Sequence, residues 1–359
     1  MNTAAYFFGF SRWKRKNILP FFPNAKIYFC STIENALKKE LHKESKIYIW
    51  GKKPFNEVEQ YAKEQNISIN RVEDGFIRSV SLGSDLTKAY SLVVDGKGIY
   101  FDPTQESDLE HILNTYSFDE NLIERAKKLQ QYLVENKISK YNIYKDKQLV
   151  LKGLKENQLI IMLPGQVEDD ASIIYGANNM TNLELLQETR NNAPNAYIIY
   201  KPHPDVLAGN RKGNIIKNEA LRYCNMIIEQ ASLDSVLELA DEVHTMTSLV
   251  GFEALMRGKK VTTYGLPFYA GWGLTTDVKT TSRRVTKRTL EELIAATLIL
   301  YPRYIHPKTN TLCEIEVLLA EIDEEKKRYN TNSIYRALIN SRNFISRKAQ
   351  LILKVLLGE

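Results

Sequence analysis

The chain predicts an α/β fold built from two doubly wound domains, each a sheet covered by helices. Three observations predict it. Short apolar runs of strand length alternate with segments of helical spacing, the pattern of parallel strands joined by crossover helices. The alternation occurs twice, once on either side of a Lys-, Tyr- and Asn-rich stretch from Ser139 to Gln158. Polar, charge-bearing loops also recur directly after the strand-like runs, where ligands bind in open α/β sheets. A length of 359 residues suits two domains, and an apolar share of 43% with a charged share of 26% is that of an ordinary globular protein.

In the first domain, expected over residues 1–145, Lys26–Cys30 and Lys46–Trp50 read as short strands. Between them Ile33, Ala36, Leu37 and Leu41 have helical spacing. Pro54 opens a helix to about Gln65, proline being favoured in a first turn. Ile67–Val72 is the next strand, so the order predicts a parallel sheet. That strand runs into Glu73-Asp74-Gly75-Phe76-Ile77-Arg78-Ser79. Two apolar runs flanking Asp95-Gly96-Lys97-Gly98 read as a β-hairpin from Tyr90 to Phe101. Ser107-Asp108-Leu109-Glu110 has a capping-box pattern at the start of a short helix. A longer charged helix follows from Asp119 to about Lys137.

In the second domain, expected over 146–325, strands read at Leu159–Leu163, Ala196–Tyr200, Asn225–Glu229, Glu242–Thr245 and Lys260–Tyr264. Helices read at Asn182–Arg190, Leu233–Ala240, Leu249–Arg257 and Thr289–Leu300. This repeats the doubly wound pattern. Two Rossmann-like domains facing each other across a cleft are the architecture of the nucleotide-sugar transferase fold called GT-B. The remaining 326–359 carries Lys326, Lys327, Arg328, Arg336, Arg342, Arg347, Lys348 and Lys354 interleaved with apolar residues. It reads as a basic amphipathic helical tail that lies on an anionic membrane surface, or as a terminal helix packed on the body.

Composition narrows the function. A formal charge of +6 suits anionic ligands or an anionic membrane face and does not argue for nucleic acid. The 20 tyrosines suit sugar contacts or plain packing. Three widely spaced cysteines, Cys30, Cys224 and Cys313, fit neither a disulfide framework nor a zinc pattern. No run approaches the roughly 18 apolar residues of a transmembrane helix. Met1–Phe10 lacks the basic-then-apolar order of a secretory signal, so a cytoplasmic protein is expected. There is neither a Gly-x-Gly-x-x-Gly nor a Gly-x-x-x-x-Gly-Lys.

The candidate chemistry lies in the strand-end loops. Gln166-Val167-Glu168-Asp169-Asp170-Ala171-Ser172 crowds three carboxylates on one turn, which reads equally as a solvated acidic turn or a site. Glu73-Asp74-Gly75 repeats the motif with Arg78 nearby. In Lys201-Pro202-His203-Pro204-Asp205, two prolines stiffen a loop that offers an ammonium and an imidazole to a phosphate. Thr247 and Ser248 stand at a helix start, where they cap the helix or bind an anion. Glu253 is in reach of a ribose hydroxyl or is an ordinary surface residue. Asn210-Arg211-Lys212-Gly213 is a basic loop, and Tyr264–Thr275, with Tyr269 and Trp272, walls a sugar pocket or packs as a turn. The five histidines show no metal-ligand spacing, so no metal is expected.

Five stretches, Glu73–Ser79, Gly165–Ser172, Tyr200–Val206, His244–Leu249 and Tyr264–Thr275, together resemble the KpsC-type capsule polysaccharide Kdo transferases. These bacterial enzymes build the β-linked poly-Kdo linker that joins capsule to phosphatidylglycerol. Family members commonly carry two modules; this chain resembles one, closer to the C-terminal β-2,7 module (glycosyltransferase family 107) than to the N-terminal β-2,4 one. The resemblance implies an N-terminal acceptor domain, a C-terminal CMP-sugar domain and transfer from CMP-β-Kdo to a Kdo-terminated, lipid-linked acceptor. It further implies retention of configuration through a covalent intermediate, no cofactor, and peripheral attachment to the inner face of the cytoplasmic membrane beside a β-2,4 transferase module. Asp170 would be the nucleophile and Glu73 the acid/base. Gln166, Ser172, Lys201, His203, Thr247, Ser248 and Glu253 would serve the CMP-sugar, with Asp74, Arg78, Arg211, Tyr269 and Trp272 as secondary sugar or acceptor contacts. The competing readings are another CMP-sugar transferase, sialyltransferase-like, and a non-catalytic carbohydrate- or membrane-binding module of capsule assembly.

Overall fold

The computed structural model describes residues 3–77, 88–138, 149–209, 211–339 and 341. The chain forms two compact units. One draws on residues 1–96 and 298–359 with 140–143, the other on 97–139 and 144–297.

In chain order the first unit supplies β1 (Thr3–Phe8), α1 (Arg12–Ile18), β2 (Ala25–Cys30), α2 (Ile33–Leu37), β3 (Lys46–Trp50), α3 (Asn56–Glu64), β4 (Ile69–Asp74) and β5 (Ser91–Asp95). The chain then enters the second unit with α4 (Asp108–Thr115) and α5 (Glu120–Glu135). That unit continues through β6 (Ile160–Pro164), α6 (Ala171–Gly176), α7 (Asn182–Asn192), β7 (Tyr197–Lys201), α8 (Pro204–Leu207), α9 (Lys217–Ala220), β8 (Met226–Ile227), α10 (Leu233–Leu239) and β9 (Glu242–Thr245). It closes with α11 (Leu249–Met256), β10 (Lys260–Thr263), β11 (Thr276–Asp277) and α12 (Leu290–Ile294), which widens into a π turn over Ala295–Leu300. Finally β12 (Pro302–Ile305), β13 (Leu312–Cys313) and α13 (Ile315–Thr331) belong to the first unit.

The first sheet has the order β13-β12-β5-β4-β3-β1-β2. Strands β2, β1, β3 and β4 are parallel. β5, β12 and β13 each run antiparallel to the neighbour they join, so the sheet is mixed rather than parallel. Both faces are buried. Along β1, Ala5 and Phe7 enter one core cluster and Tyr6 and Phe8 the other, as a period of two requires. Such a strand has no polar alternation along its buried length. The expected hairpin at Asp95–Gly98 does not form. β5 pairs with β4 and β12, and the Asp95 carboxylate accepts a hydrogen bond from the Tyr301 hydroxyl at 2.7 Å. Residues after Gly96 turn away, with Asp102 N bonded to Ile99 O.

The second sheet is wholly parallel, in the order β11-β10-β9-β6-β7-β8. Numbered within the unit this is the Rossmann order, with the direction of winding reversing between its first strand, β6, and its fourth, β9. Thr181 and Thr289 form full capping boxes at α7 and α12. At α4 the box is half-formed: Ser107 caps the Glu110 amide, but the Glu110 carboxylate turns instead to Arg283 at 2.7 Å and Arg284 at 3.0 Å.

The expected division at residues 145 and 325 differs from these units because α4 and α5 pack on the second sheet's helices. Besides the Glu110 pairs, Gln130 Nε2 donates to Met256 O at 2.8 Å. Lys326–Arg328, expected to open the tail, lie in α13, whose Ile315, Leu318, Leu319 and Ile322 are buried in the first unit. The tail cations from Arg342 onward fall outside the described residues. Among the described residues no helix is long and apolar enough to cross a membrane.

Candidate active site

In the second unit the two loops at the winding reversal converge on one side chain, Gln166. β6 is buried along its length and delivers Gly165 and Gln166 into the interior. Gln166 Oε1 accepts from the Thr247 amide at 2.9 Å and the Thr245 hydroxyl at 3.3 Å, while Nε2 donates to Thr247 Oγ1 at 3.0 Å. Its backbone is bracketed by Asn182, which accepts from Gln166 N and donates to Gln166 O, both at 2.8 Å. Gln166 therefore has its amide committed to the loop after β9 and acts by holding Thr247. Asn182, buried and unpredicted, ties the same loop to Gly213 O at 3.0 Å. Its signal was faint: an Asn directly after a helix cap.

The three carboxylates of the turn have separate partners. Glu168 accepts from the Asn182 amide at 2.8 Å. Asp169 pairs with Arg211 at 3.1 Å, so Arg211 is engaged with the turn itself. Asp170 is exposed and caps α6: its Oδ1 accepts from Ser172 N at 2.9 Å and from Ser172 Oγ at 2.7 Å. Ser172 thus orients the carboxylate and leaves Oδ2 pointing away from these bonds.

The neighbouring loop after β7 is pressed against this turn. Gly165 N donates to Lys201 O at 2.8 Å, and a Cβ at Gly165 would stand 2.8 Å from the Tyr200 hydroxyl. Lys201 is buried, with its ammonium donating to Ala231 O at 2.9 Å; desolvation lowers its pKa to about 8. His203 Nδ1 accepts from the Asp205 amide at 3.1 Å, which places the proton of the neutral ring on Nε2. Ser248 caps α11 by accepting from Val250 N at 3.2 Å. Glu253 lies on the buried side of the same helix.

Tyr269 and Trp272 were expected to wall a sugar pocket or to pack as a turn. Tyr269 and Trp272 are fully buried, at 0% exposure. Tyr269 donates to Ser248 O at 2.5 Å and Trp272 Nε1 to Phe268 O at 2.8 Å. The Tyr269 ring packs inside the unit because Gly251 has no Cβ: one there would lie 2.7 Å from Tyr269 Cζ.

In the first unit, β4 carries Glu73 and Asp74 to its carboxyl end, both half-buried. Glu73 Oε1 accepts from the Asp74 amide at 3.0 Å. Glu73 Oε2 lies beside Gly51, whose φ of +56° and 3.3 Å clearance from a Cβ to that oxygen favour glycine there. Asp74 is 3.6 Å from Lys14 Nζ, which sits 3.3 Å over the Trp50 ring. Arg78 lies outside the described residues. Among the described residues no cluster of three His, Cys, Asp or Glu side chains is arranged to hold a metal ion.

In a Rossmann-ordered sheet, ligands bind in the crevice at the winding reversal, and here hydroxyl and carboxylate groups gather there with an imidazole on the neighbouring loop. The comparison with known proteins is more specific. The chain belongs to the capsule polysaccharide biosynthesis protein family, matching it over residues 45–304. It is 46% identical over 335 residues to the capsule polysaccharide modification protein LipA of Neisseria meningitidis, covering 92% of this chain and 47% of that protein. The chain thus spans about half the length of this relative. Its fold is similar to two solved structures from Thermosulfurimonas dismutans KpsC. The β Kdo 2,7 transferase is 38% identical, with a TM-score of 0.75 over 90% of this chain and 99% of that one. The β Kdo 2,4 transferase is 31% identical, with a TM-score of 0.76 over 90% and 98%.

Proposed function

We propose that the chain is a capsule glycosyltransferase that moves Kdo from CMP-β-Kdo to a Kdo-terminated acceptor, with retention of configuration and in β-2,7 linkage. The observation that carries this reading is the Asp170 turn: an exposed carboxylate, aimed by Ser172, at the winding reversal of a nucleotide-type unit. Similarity to a protein described as a β Kdo 2,7 transferase supplies the sugar and the linkage.

In the proposed reaction Asp170 Oδ2 attacks the anomeric carbon and the bond to the phosphate oxygen of CMP breaks, CMP leaving with the electron pair. The acceptor hydroxyl then attacks the same carbon and the glycosyl–Asp170 bond breaks. Its proton passes to Glu73. Two inversions give net retention. His203 and the hydroxyls of Thr247 and Ser248 hold the leaving phosphate, with Lys201 and Gln166 bracing their loops from within; this reading uses no metal. A lipid-linked acceptor would bring the enzyme to an anionic membrane surface, where Arg342, Arg347, Lys348 and Lys354 supply the attraction.

The test is incubation with CMP-Kdo generated in situ and a synthetic Kdo-terminated acceptor, with the product linkage read by NMR. A β-2,7-linked product is expected. Turnover of CMP-sialic acid alone would overturn the choice of sugar, and inactivity with every CMP-sugar would favour a binding module.

A further inference from the structure

We propose that Gln166 is a positioning residue that turns the Thr247 hydroxyl proton toward the ligand, so that this position favours an anionic or other accepting oxygen. The inference rests on the nucleotide-sugar reading for the ligand's identity, but its geometry stands alone.

The direction of every hydrogen bond in this cluster follows from two backbone amides, which can only donate. The Thr247 amide donates to one atom of the Gln166 side chain at 2.9 Å, so that atom is the carbonyl Oε1. The other end is then the amide Nε2, and it donates to Thr247 Oγ1 at 3.0 Å. The Ser248 amide donates to Thr245 Oγ1 at 3.2 Å, and Thr245 passes its own proton to Gln166 Oε1 at 3.3 Å. Thr247 Oγ1 is the end of the relay. Having accepted from Gln166, it must send its proton elsewhere, and among the described residues no acceptor takes it. Thr247 is also the half-exposed member of a cluster in which Gln166 and Thr245 are buried.

The hydroxyl's direction is locked as well as its polarity. Threonine is stiff at χ1 because its Cβ is branched. The Thr247 methyl is wedged between two glycines: a Cβ would lie 2.9 Å from it at Gly176 and 2.8 Å from it at Gly265. With the methyl pinned and the amide fixed by Gln166, Oγ1 has one place to point. A donor whose proton is fixed in direction strengthens toward an ionised oxygen. In the proposed reaction the negative charge on the leaving CMP phosphate is such a partner.

The test measures CMP affinity by calorimetry alongside KM and kcat for CMP-Kdo. Thr247→Val keeps the pinned shape and deletes the hydroxyl; CMP affinity should fall about ten- to a hundredfold, the loss of one charge-assisted hydrogen bond. Thr247→Ser keeps the hydroxyl without the pinned methyl and should fall between wild type and Val. Gln166→Glu replaces the only side-chain donor to Thr247 among the described residues with an acceptor, so Thr247 turns its proton inward and affinity should fall. Adding Thr247→Val to Gln166→Glu should then cost little more, because both changes remove the same donation. Additive losses, or Thr247→Val binding CMP as wild type does, overturn the proposal. If wild type binds no CMP, the function reading fails separately, and UMP, inorganic phosphate and free Kdo are tried in the same assay. A Thr247-dependent affinity for any of these sustains the polarity argument, and independence from Thr247 throughout overturns it.

Discussion

Asp170 has two duties that substitution can separate. It caps α6 through Oδ1, and in the proposed reaction it forms the bond to the sugar. Asparagine preserves the cap, so Asp170→Asn should leave stability within about 0.5 kcal/mol while abolishing transfer by a factor of order 10⁴. Asp170→Ala should lose the same activity and about 1 kcal/mol of stability besides. Transfer by Asp170→Asn near the wild-type rate would remove Asp170 as nucleophile. Lys201 offers a test by pH. Its folded pKa, about 8, lies below the unfolded 10.5, because burial disfavours the ammonium. Between those values the unfolded chain holds a proton that the folded chain has released, so stability from this group rises with pH across that window. Its cost is complete below about pH 8. Lys201→Met should therefore stabilise the protein most below pH 8, by urea unfolding, with the gain shrinking toward pH 10.5. A difference that does not change with pH would refute the buried-ammonium account.

At the scale of elements, the site depends on strand ends lying closer than side chains allow. Gly165 joins the ends of β6 and β7, where a Cβ would also meet Pro202 Cα at 3.1 Å and His203 N at 3.2 Å. Backbone atoms cannot swing aside, so Gly165→Ala should destabilise by about 1–3 kcal/mol and displace His203. Chemical denaturation and CMP affinity would both register it; an unperturbed variant would mean that β7 yields. The cap residues tell a milder story. Thr181 and Thr289 form their boxes with Glu partners three residues on, a local arrangement that spacing alone specifies. Glu110 had the same spacing and went elsewhere, drawn by two arginines more than 170 residues away.

At the scale of the whole molecule, that Glu110 cluster secures the 97–139 segment in the second unit. Glu110 is 3% exposed and Arg284 is buried, donating also to Ala270 O at 2.7 Å. Removing one member of a buried ion pair strands the other charge. Glu110→Ala should cost about 3–5 kcal/mol, read by urea unfolding. A loss under about 1 kcal/mol would show that water reaches Arg284 freely. The proposed membrane attraction has its own test. Replacing Arg342, Arg347, Lys348 and Lys354 with Gln should weaken sedimentation with phosphatidylglycerol vesicles and leave turnover of a short soluble acceptor unchanged. Equal sedimentation would refute the tail's role.

Local order was legible in the residues: apolar runs and caps placed most of the longer strands and helices of the second unit to within a residue or two, while the short α6, α8, α9 and β11 were not signalled, and the polar strand-end loops marked the candidate site. Those signals are short-range, set by spacing and backbone preference. The pairings made far along the chain were not legible. β12 docking on β5, the loss of the Asp95 hairpin, α4 and α5 joining the second unit, and Tyr269 turning inward to Ser248 all depend on partners outside their own stretch of chain. So does the role of Gln166, a residue that reads as a ligand contact until Thr245 and Thr247, some 80 positions on, are folded against it. Hydrogen-bond polarity is a property of the assembled cluster, and no single stretch of the chain contains it.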